Sequence, residues 1–168
     1  MSSELRVDKI IPTTGVPTGG GGGIVQTTVG RLNSHIVDTT SGSYMASGLI
    51  TTMTPRFSNS KFFVQMNGGR IKARSGSGIN VKMYVSINGG SYAPSYSGNR
   101  GESFYYSSSG EIQVPLSFTD LYTPSVAITS TIAFQPYWRS FNGGNNSFNI
   151  SDSNSYGEVV MTVMEVSA

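Results

Sequence analysis

Beyond Ile24 the apolar residues recur in steps of two, with almost none of the three-and-four spacing of a helix. Val81, Met83, Val85 and Ile87 fall on one side of a segment whose other side is Lys82, Tyr84 and Ser86, the period of a half-buried antiparallel strand. Val126, Ile128, Ile132 and Phe134 repeat the alternation opposite Thr129 and Thr131. The pattern predicts strands at Ile24–Leu32, Gly48–Thr54, Lys61–Met66, Arg70–Arg74, Asn80–Ile87, Ser103–Tyr106, Gln113–Phe118, Val126–Trp138, Ser147–Ile150 and Glu158–Val166. No helix of ordinary length is expected. The last strand, with Val159-Val160-Met161-Thr162-Val163-Met164, is apolar on both faces and suits a central or subunit-interface position. Asn67-Gly68-Gly69 and Asn88-Gly89-Gly90-Ser91 read as hairpin turns, because Asn and Gly accept positive φ. Short strands punctuated in this way predict an all-β chain, an antiparallel β-sandwich or jelly roll over residues 24–168.

Upstream, Leu5 and Val7 share one face of an extended segment and Glu4, Arg6 and Asp8 the other, before Ile10, Ile11 and Pro12. A strand this short needs another sheet to add to, so residues 1–18 read as a docking tail, with a loose chain end as the alternative. The run Gly19–Gly23 is a hinge. It is not a phosphate loop, since no Lys-Ser or Lys-Thr follows and the next residues are strand-like. The amino terminus lacks a basic start, an apolar run and a small-residue cleavage site, so synthesis without a signal peptide is expected. No stretch approaches the roughly 18 apolar residues of a membrane helix, and no membrane insertion is expected.

Composition narrows the chemistry. Only 12% of the 168 residues are charged and the net charge is +2, so no strong field is available for nucleic acid. The absence of Cys excludes disulfides and thiolate metal sites, and His35 alone cannot build a histidine site; no metal or cofactor is expected. His35 lies near Asp38, yet no nucleophile elbow or Cys completes a triad. The nine acids are scattered over predicted loops and strand ends without a repeated spacing, and Asp152-Ser153-Asn154 lacks the spacing of a calcium loop. The chain therefore reads as non-enzymatic. Asn149-Ile150-Ser151 matches a glycosylation triplet of the kind common by chance.

Two clusters remain as candidate contacts. Arg70, Lys72 and Arg74 alternate along one strand and project from one face, either toward an acidic partner or charged glycan or as a soluble, charge-protected outer surface. Tyr92, Tyr96, Phe104, Tyr105, Tyr106, Tyr137, Trp138 and Phe141 gather near predicted turns and strand ends. Exposed, they would stack on sugars; buried, they are core or subunit contacts.

The leader Glu4-Leu5-Arg6-Val7-Asp8-Lys9-Ile10-Ile11-Pro12-Thr-Thr-Gly-Val-Pro17, followed by the glycines and Ile24-Val25-Gln26, resembles one found in virion proteins of marine podoviruses, especially cyanophages. There it precedes different distal domains as a particle anchor. The segments Ser60–Gln65, Tyr84–Tyr92, Phe134–Ser140 and Val160–Glu165 are similar, more loosely, to β modules at the ends of phage tail and head fibres. The resemblance implies a homotrimeric jelly roll of the tumour-necrosis-factor and C1q type, located in the virion. It implies attachment to capsid or tail proteins by the amino-terminal tail, where Leu5, Val7, Ile10 and Ile11 are the candidate anchor residues. Within this reading one role is contact with host-surface polysaccharide, for which Arg70, Lys72, Arg74, Tyr137 and Trp138 are the candidate residues, and the other is purely mechanical. The sequence departs from a full tail fibre in having no shaft, no heptads and no depolymerase domain, which points to a short appendage, a decoration or a tip. A mechanical capsid cement and a free carbohydrate-binding lectin are the alternatives.

Overall fold

The computed structural model describes residues 23–34, 36–97, 103–149, 151–152 and 155–167. The expected anchor residues Leu5, Val7, Ile10 and Ile11, the first four hinge glycines and His35 lie outside them. Every regular element among the described residues is a strand: β1 (Ile24–Leu32), β2 (Ile36–Thr39), β3 (Met45–Ala46), β4 (Thr51–Met53), β5 (Lys61–Ala73), β6 (Ser77–Ile87), β7 (Ala93–Pro94), β8 (Ser103–Ser107), β9 (Ile112–Tyr122), β10 (Ile132–Phe141), β11 (Asn146–Phe148), β12 (Ser151–Asp152), β13 (Ser155–Tyr156) and β14 (Val159–Val166). In the first sheet β1 pairs with β14, β14 with β5, and β5 with β9 on its other edge. Past the start of β14, the same edge of β5 takes β11, which carries β2. In the second sheet β10 and β6 form the centre, with β3 and β4 beside β10 and β7 and β8 beside β6. All of these ladders are antiparallel, as the alternation predicts, and β12 and β13 form a separate ribbon.

The inner faces of the two sheets meet in one apolar core. Phe62, Val64 and Met66 of β5, Leu116 and Phe118 of β9, and Met161 and Val163 of β14 face Ile79, Val81 and Met83 of β6 and Ile132, Phe134 and Trp138 of β10. Across the gap Phe62 and Phe134 lie 5.7 Å apart, and Trp138 and Phe148 lie 6.1 Å apart. Each such side chain contributes about 1.5–3 kcal/mol on burial. The closing strand β14 is central, as its apolar composition predicts: Val159, Met161 and Val163 are buried, while Val160, Thr162 and Met164 are half-buried on the outer face.

The two strands expected at 61–66 and 70–74 are a single strand, and Asn67-Gly68-Gly69 is a bulge within it rather than a hairpin. Between Gly68, paired with Leu116, and Ile71, paired with Val114, β5 carries Gly69 and Arg70 against Pro115 alone. The extra residue reverses the alternation. Even-numbered residues face the core up to Met66, and odd-numbered Ile71 and Ala73 face it afterwards, so Arg70, Lys72 and Arg74 stay on the outer side. Only glycine fits here. Gly68 and Gly69 have φ of +92° and +61°, and a Cβ on Gly68 would lie 2.3 Å from the Glu158 carbonyl oxygen.

Polar side chains close the ends of the sandwich where backbone leaves the ladders. The fully buried Glu165 carboxylate accepts hydrogen bonds from Ser60 Oγ at 2.6 Å, the Arg56 and Phe57 amides at 2.9 and 3.1 Å, and Gln26 Nε2 at 2.6 Å, fixing the β4–β5 loop to β14 and β1. Asn146, also fully buried, accepts from the Arg74 amide and Ser77 Oγ and donates to the Gly78 carbonyl and Ser140 Oγ, joining the two sheets. Asn88 begins the hairpin expected at 88–91, with φ of +53°. Its Oδ1 accepts from the Thr129 and Ser130 amides and its Nδ2 donates to the Ala127 carbonyl. That clamp satisfies with a side chain the backbone groups a ladder would otherwise need, so β10 starts at Ile132 and not at Val126.

Gly68→Ala is expected to destabilise the domain by about 3 kcal/mol or more, combining left-handed strain with a backbone collision. Gly110→Ala has similar strain at φ +72° but open space around the new Cβ, and is expected to cost only about 1–2 kcal/mol. Urea unfolding with unchanged slope measures both; equal losses would remove the close approach from the explanation.

Candidate functional site

Strand alternation sorts the expected contact residues onto two opposite surfaces. Arg70, Lys72 and Arg74 do share one face, the outer side of the first sheet, because Ile71 and Ala73 between them are buried. Their charge is partly answered in place. Arg74 forms an ion pair with Glu111 at 2.5 Å, Arg70 lies 3.5 Å from Gln113 Oε1, and Gln113 donates to Glu111 at 2.8 Å. Exposed pairs of this kind contribute little to stability but fix the guanidinium in the surface.

Tyr137 belongs to the other surface, the outer side of the second sheet, where its ring stacks on Tyr84 at 4.0 Å with the planes inclined by 24°. Tyr44 and Tyr92 extend the cluster at 6.1 Å from Tyr84 and 6.2 Å from Tyr137. Two cations sit against Tyr44: Lys82 Nζ is 5.2 Å and the Arg139 guanidinium 4.7 Å from the ring centre. Phe104, Tyr106 and Phe141 form a second group on the same outer face, with Phe104 and Phe141 edge-to-face at 5.4 Å. Tyr106 is 45% exposed and so offers a ring to solvent.

Trp138 does not join this surface. Tyr137 faces outward, so its neighbour along the strand faces inward, where Trp138 is fully buried against Phe148. It is a core residue and no contact for a glycan or partner. Tyr105 likewise turns inward, and its hydroxyl lies 3.4 Å from the Ser117 amide and 3.5 Å from the Ser117 carbonyl on the outer edge of β9. Sequence reasoning overlooked Tyr84 and Tyr44 as members of the cluster. Tyr84 was recoverable from the alternation, since its strand neighbours Met83 and Val85 are both buried and it must point the other way; Tyr44 precedes a two-residue strand that carries no periodic signal.

Elsewhere the chemistry is sparse. Among the described residues no three His, Asp or Glu side chains gather as a metal site. A cleft of about 250 Å³ between the β4–β5 and β9–β10 loops is lined by Ser58, Asn59, Pro124, Ser125, Val126 and Ala127, none of them ionisable. Asn149 of the glycosylation triplet is fully buried, with Nδ2 donating to the Leu32 and Ser34 carbonyls, so its amide is not offered to an enzyme in the folded chain. The sequence matches no protein-family model and no curated protein.

Burial pushes the Tyr92 hydroxyl above its ordinary value of 10.0, and the nearby Tyr137 raises it further; burial alone raises Tyr122. The folded chain thus holds these protons more tightly than the unfolded chain. Their stabilising contribution is fully present below about pH 10 and is lost as pH rises through the folded-state values. Urea midpoints are expected to fall in that alkaline range, and Tyr92→Phe to reduce the fall; an identical decline in the variant would exclude Tyr92 as a source.

Proposed function

We propose that this chain is a non-catalytic structural protein of a bacteriophage particle, a small homotrimeric appendage of the capsid or tail located in the virion. In this reading residues 1–18 dock as an extended peptide on another virion protein, Leu5, Val7, Ile10 and Ile11 giving selectivity and backbone hydrogen bonds the affinity. Gly19–Gly23 absorb the angle between that anchor and the domain. The domain itself is a jelly roll of the tumour-necrosis-factor and C1q type. Strand order supports this: with β1, β4, β5, β6, β8, β9, β10 and β14 taken as first to eighth, one sheet runs first, eighth, third, sixth and the other second, seventh, fourth, fifth.

The observation that carries the trimer is the outer face of the first sheet beside β1. Met164, Phe63 and Leu121 lie in register across β14, β5 and β9, and the next row is Val29, Thr162, Gln65 and Thr119. These rows hold no charged side chain, while Leu121 is 54% and Val29 48% exposed. An uncharged, partly apolar sheet face of this kind has the composition of an interface core. The leader enters the domain at β1, on the edge of this same sheet. Attachment and assembly would then share one side, with the aromatic outer face of the second sheet turned away.

That aromatic face favours one further reading, contact with host-surface glycan. Tyr106 and the Tyr84–Tyr137 stack would present rings to sugar, and three weak sites per trimer would act together. The same face in a free β-sandwich lectin is the rival from another class. Removing residues 1–18 is expected to leave a folded domain with an unchanged number of subunits that no longer joins particles. Normal occupancy of the truncated protein in assembled particles would refute the anchor.

A further inference from the structure

The sequence contains the triplet Asn-Gly-Gly three times, at 67–69, 88–90 and 142–144, each after an apolar residue. Folding places the three copies in different surroundings. Asn67-Gly68 lies inside β5, with Asn67 paired to Val160 of β14 and Ser117 of β9, and the Asn67 side chain accepts from Ser117 Oγ at 3.1 Å. Asn88 is held at its side chain by the Thr129 and Ser130 amides and the Ala127 carbonyl. Asn142-Gly143 forms the exposed turn after β10, at φ of +59° and +67°, and a Cβ built on Gly143 would meet nothing within 4 Å.

We infer that Asn142 is a site of spontaneous deamidation in the folded protein, and that the fold protects Asn67 and Asn88. The reaction needs only water. The Gly143 backbone nitrogen loses its proton and attacks Asn142 Cγ; the new N–Cγ bond replaces the Cγ–Nδ2 bond, and the amide nitrogen leaves as ammonia after taking up a proton. Water then opens the five-membered imide at either carbonyl, giving aspartate or isoaspartate. Attack requires the side-chain amide to swing onto the following nitrogen. At Asn88 that motion breaks three hydrogen bonds, and at Asn67 it distorts a strand paired on both edges. At Asn142, on an exposed turn, no side-chain hydrogen bond among the described residues opposes the motion.

The position matters because this turn leads into the buried Asn146 network. Ser140 Oγ donates to the Gly144 carbonyl at 2.6 Å and accepts from Asn146 Nδ2 at 2.9 Å. Isoaspartate at 142 lengthens the backbone inside that closed turn and adds a negative charge beside Phe141. Ageing at this one residue would therefore loosen the join between the sheets.

The test is peptide mass spectrometry on the intact chain incubated at mildly alkaline pH, folded and in urea, with fragmentation that separates aspartate from isoaspartate. In the folded protein the Asn142 peptide is expected to convert roughly tenfold or more faster than the Asn88 peptide, as breaking three hydrogen bonds implies. In urea the three sites are expected to converge. Asn142→Gly, which keeps the left-handed turn, should fold normally and remove the modified species. Conversion at Asn142 no faster than at Asn88 in the folded chain would overturn the inference, as would a preference for Asn142 that persists unchanged in urea.

Discussion

The bulge at Gly68-Gly69 is the constraint on which the first sheet depends. β5 is its centre, pairing with β9 along one edge and with β14 and then β11 along the other. An unbroken alternation from Phe62, Val64 and Met66 would carry Arg70, Lys72 and Arg74 into the core, where unpaired charge is prohibitively unfavourable. One extra residue, set against a proline that has no amide to donate, reverses the register and brings Ile71 and Ala73 inward instead. The Gly69 amide, freed from the ladder, donates to the Glu158 carbonyl at 2.7 Å, just before β14 begins. Two glycines thus set strand direction, the facing of the basic row and the entry of the closing strand together.

Buried polar side chains then hold what the ladders do not reach. Glu165 gathers donors from β1 and from the loop before β5, and Asn146 uses both amide atoms to tie β11 to the second sheet. Their groups are well partnered, as a low-dielectric interior demands. The loops at the sandwich ends are therefore positioned parts of the fold, although their composition reads as simple turns.

The alternation of apolar and polar residues made the sandwich legible: Val81, Met83 and Val85 are buried where their spacing predicts, and β1 and the closing strand are found at nearly the expected limits. Trp138, a candidate contact residue, takes instead the buried alternative open to the aromatic cluster, because the same alternation, counted from Phe134, sends it inward. The Asn-Gly-Gly triplets mark the boundary of what local sequence decides. Identical residues form a bulge at 67–69 and turns at 88–90 and 142–144, because pairing on both edges holds the first copy within a strand. Nor does spacing alone show that Tyr44, distant in sequence, completes the ring cluster on Tyr84 and Tyr137, since contacts of that separation arise only when the sheet assembles.

The two outer faces differ in the work they suit. One carries two uncharged, partly apolar rows beside the strand that receives the leader, with the basic row of Arg70, Lys72 and Arg74 farther along β5; the other carries stacked rings and two cations held against Tyr44. The central claim is that the first face joins subunits. Light scattering coupled to size-exclusion chromatography of the intact chain and of Leu121→Arg tests it directly. The account predicts a mass of three times 17.9 kDa for the former and a folded monomer for the latter; a stable wild-type monomer, or a trimer indifferent to a charge at Leu121, would contradict it.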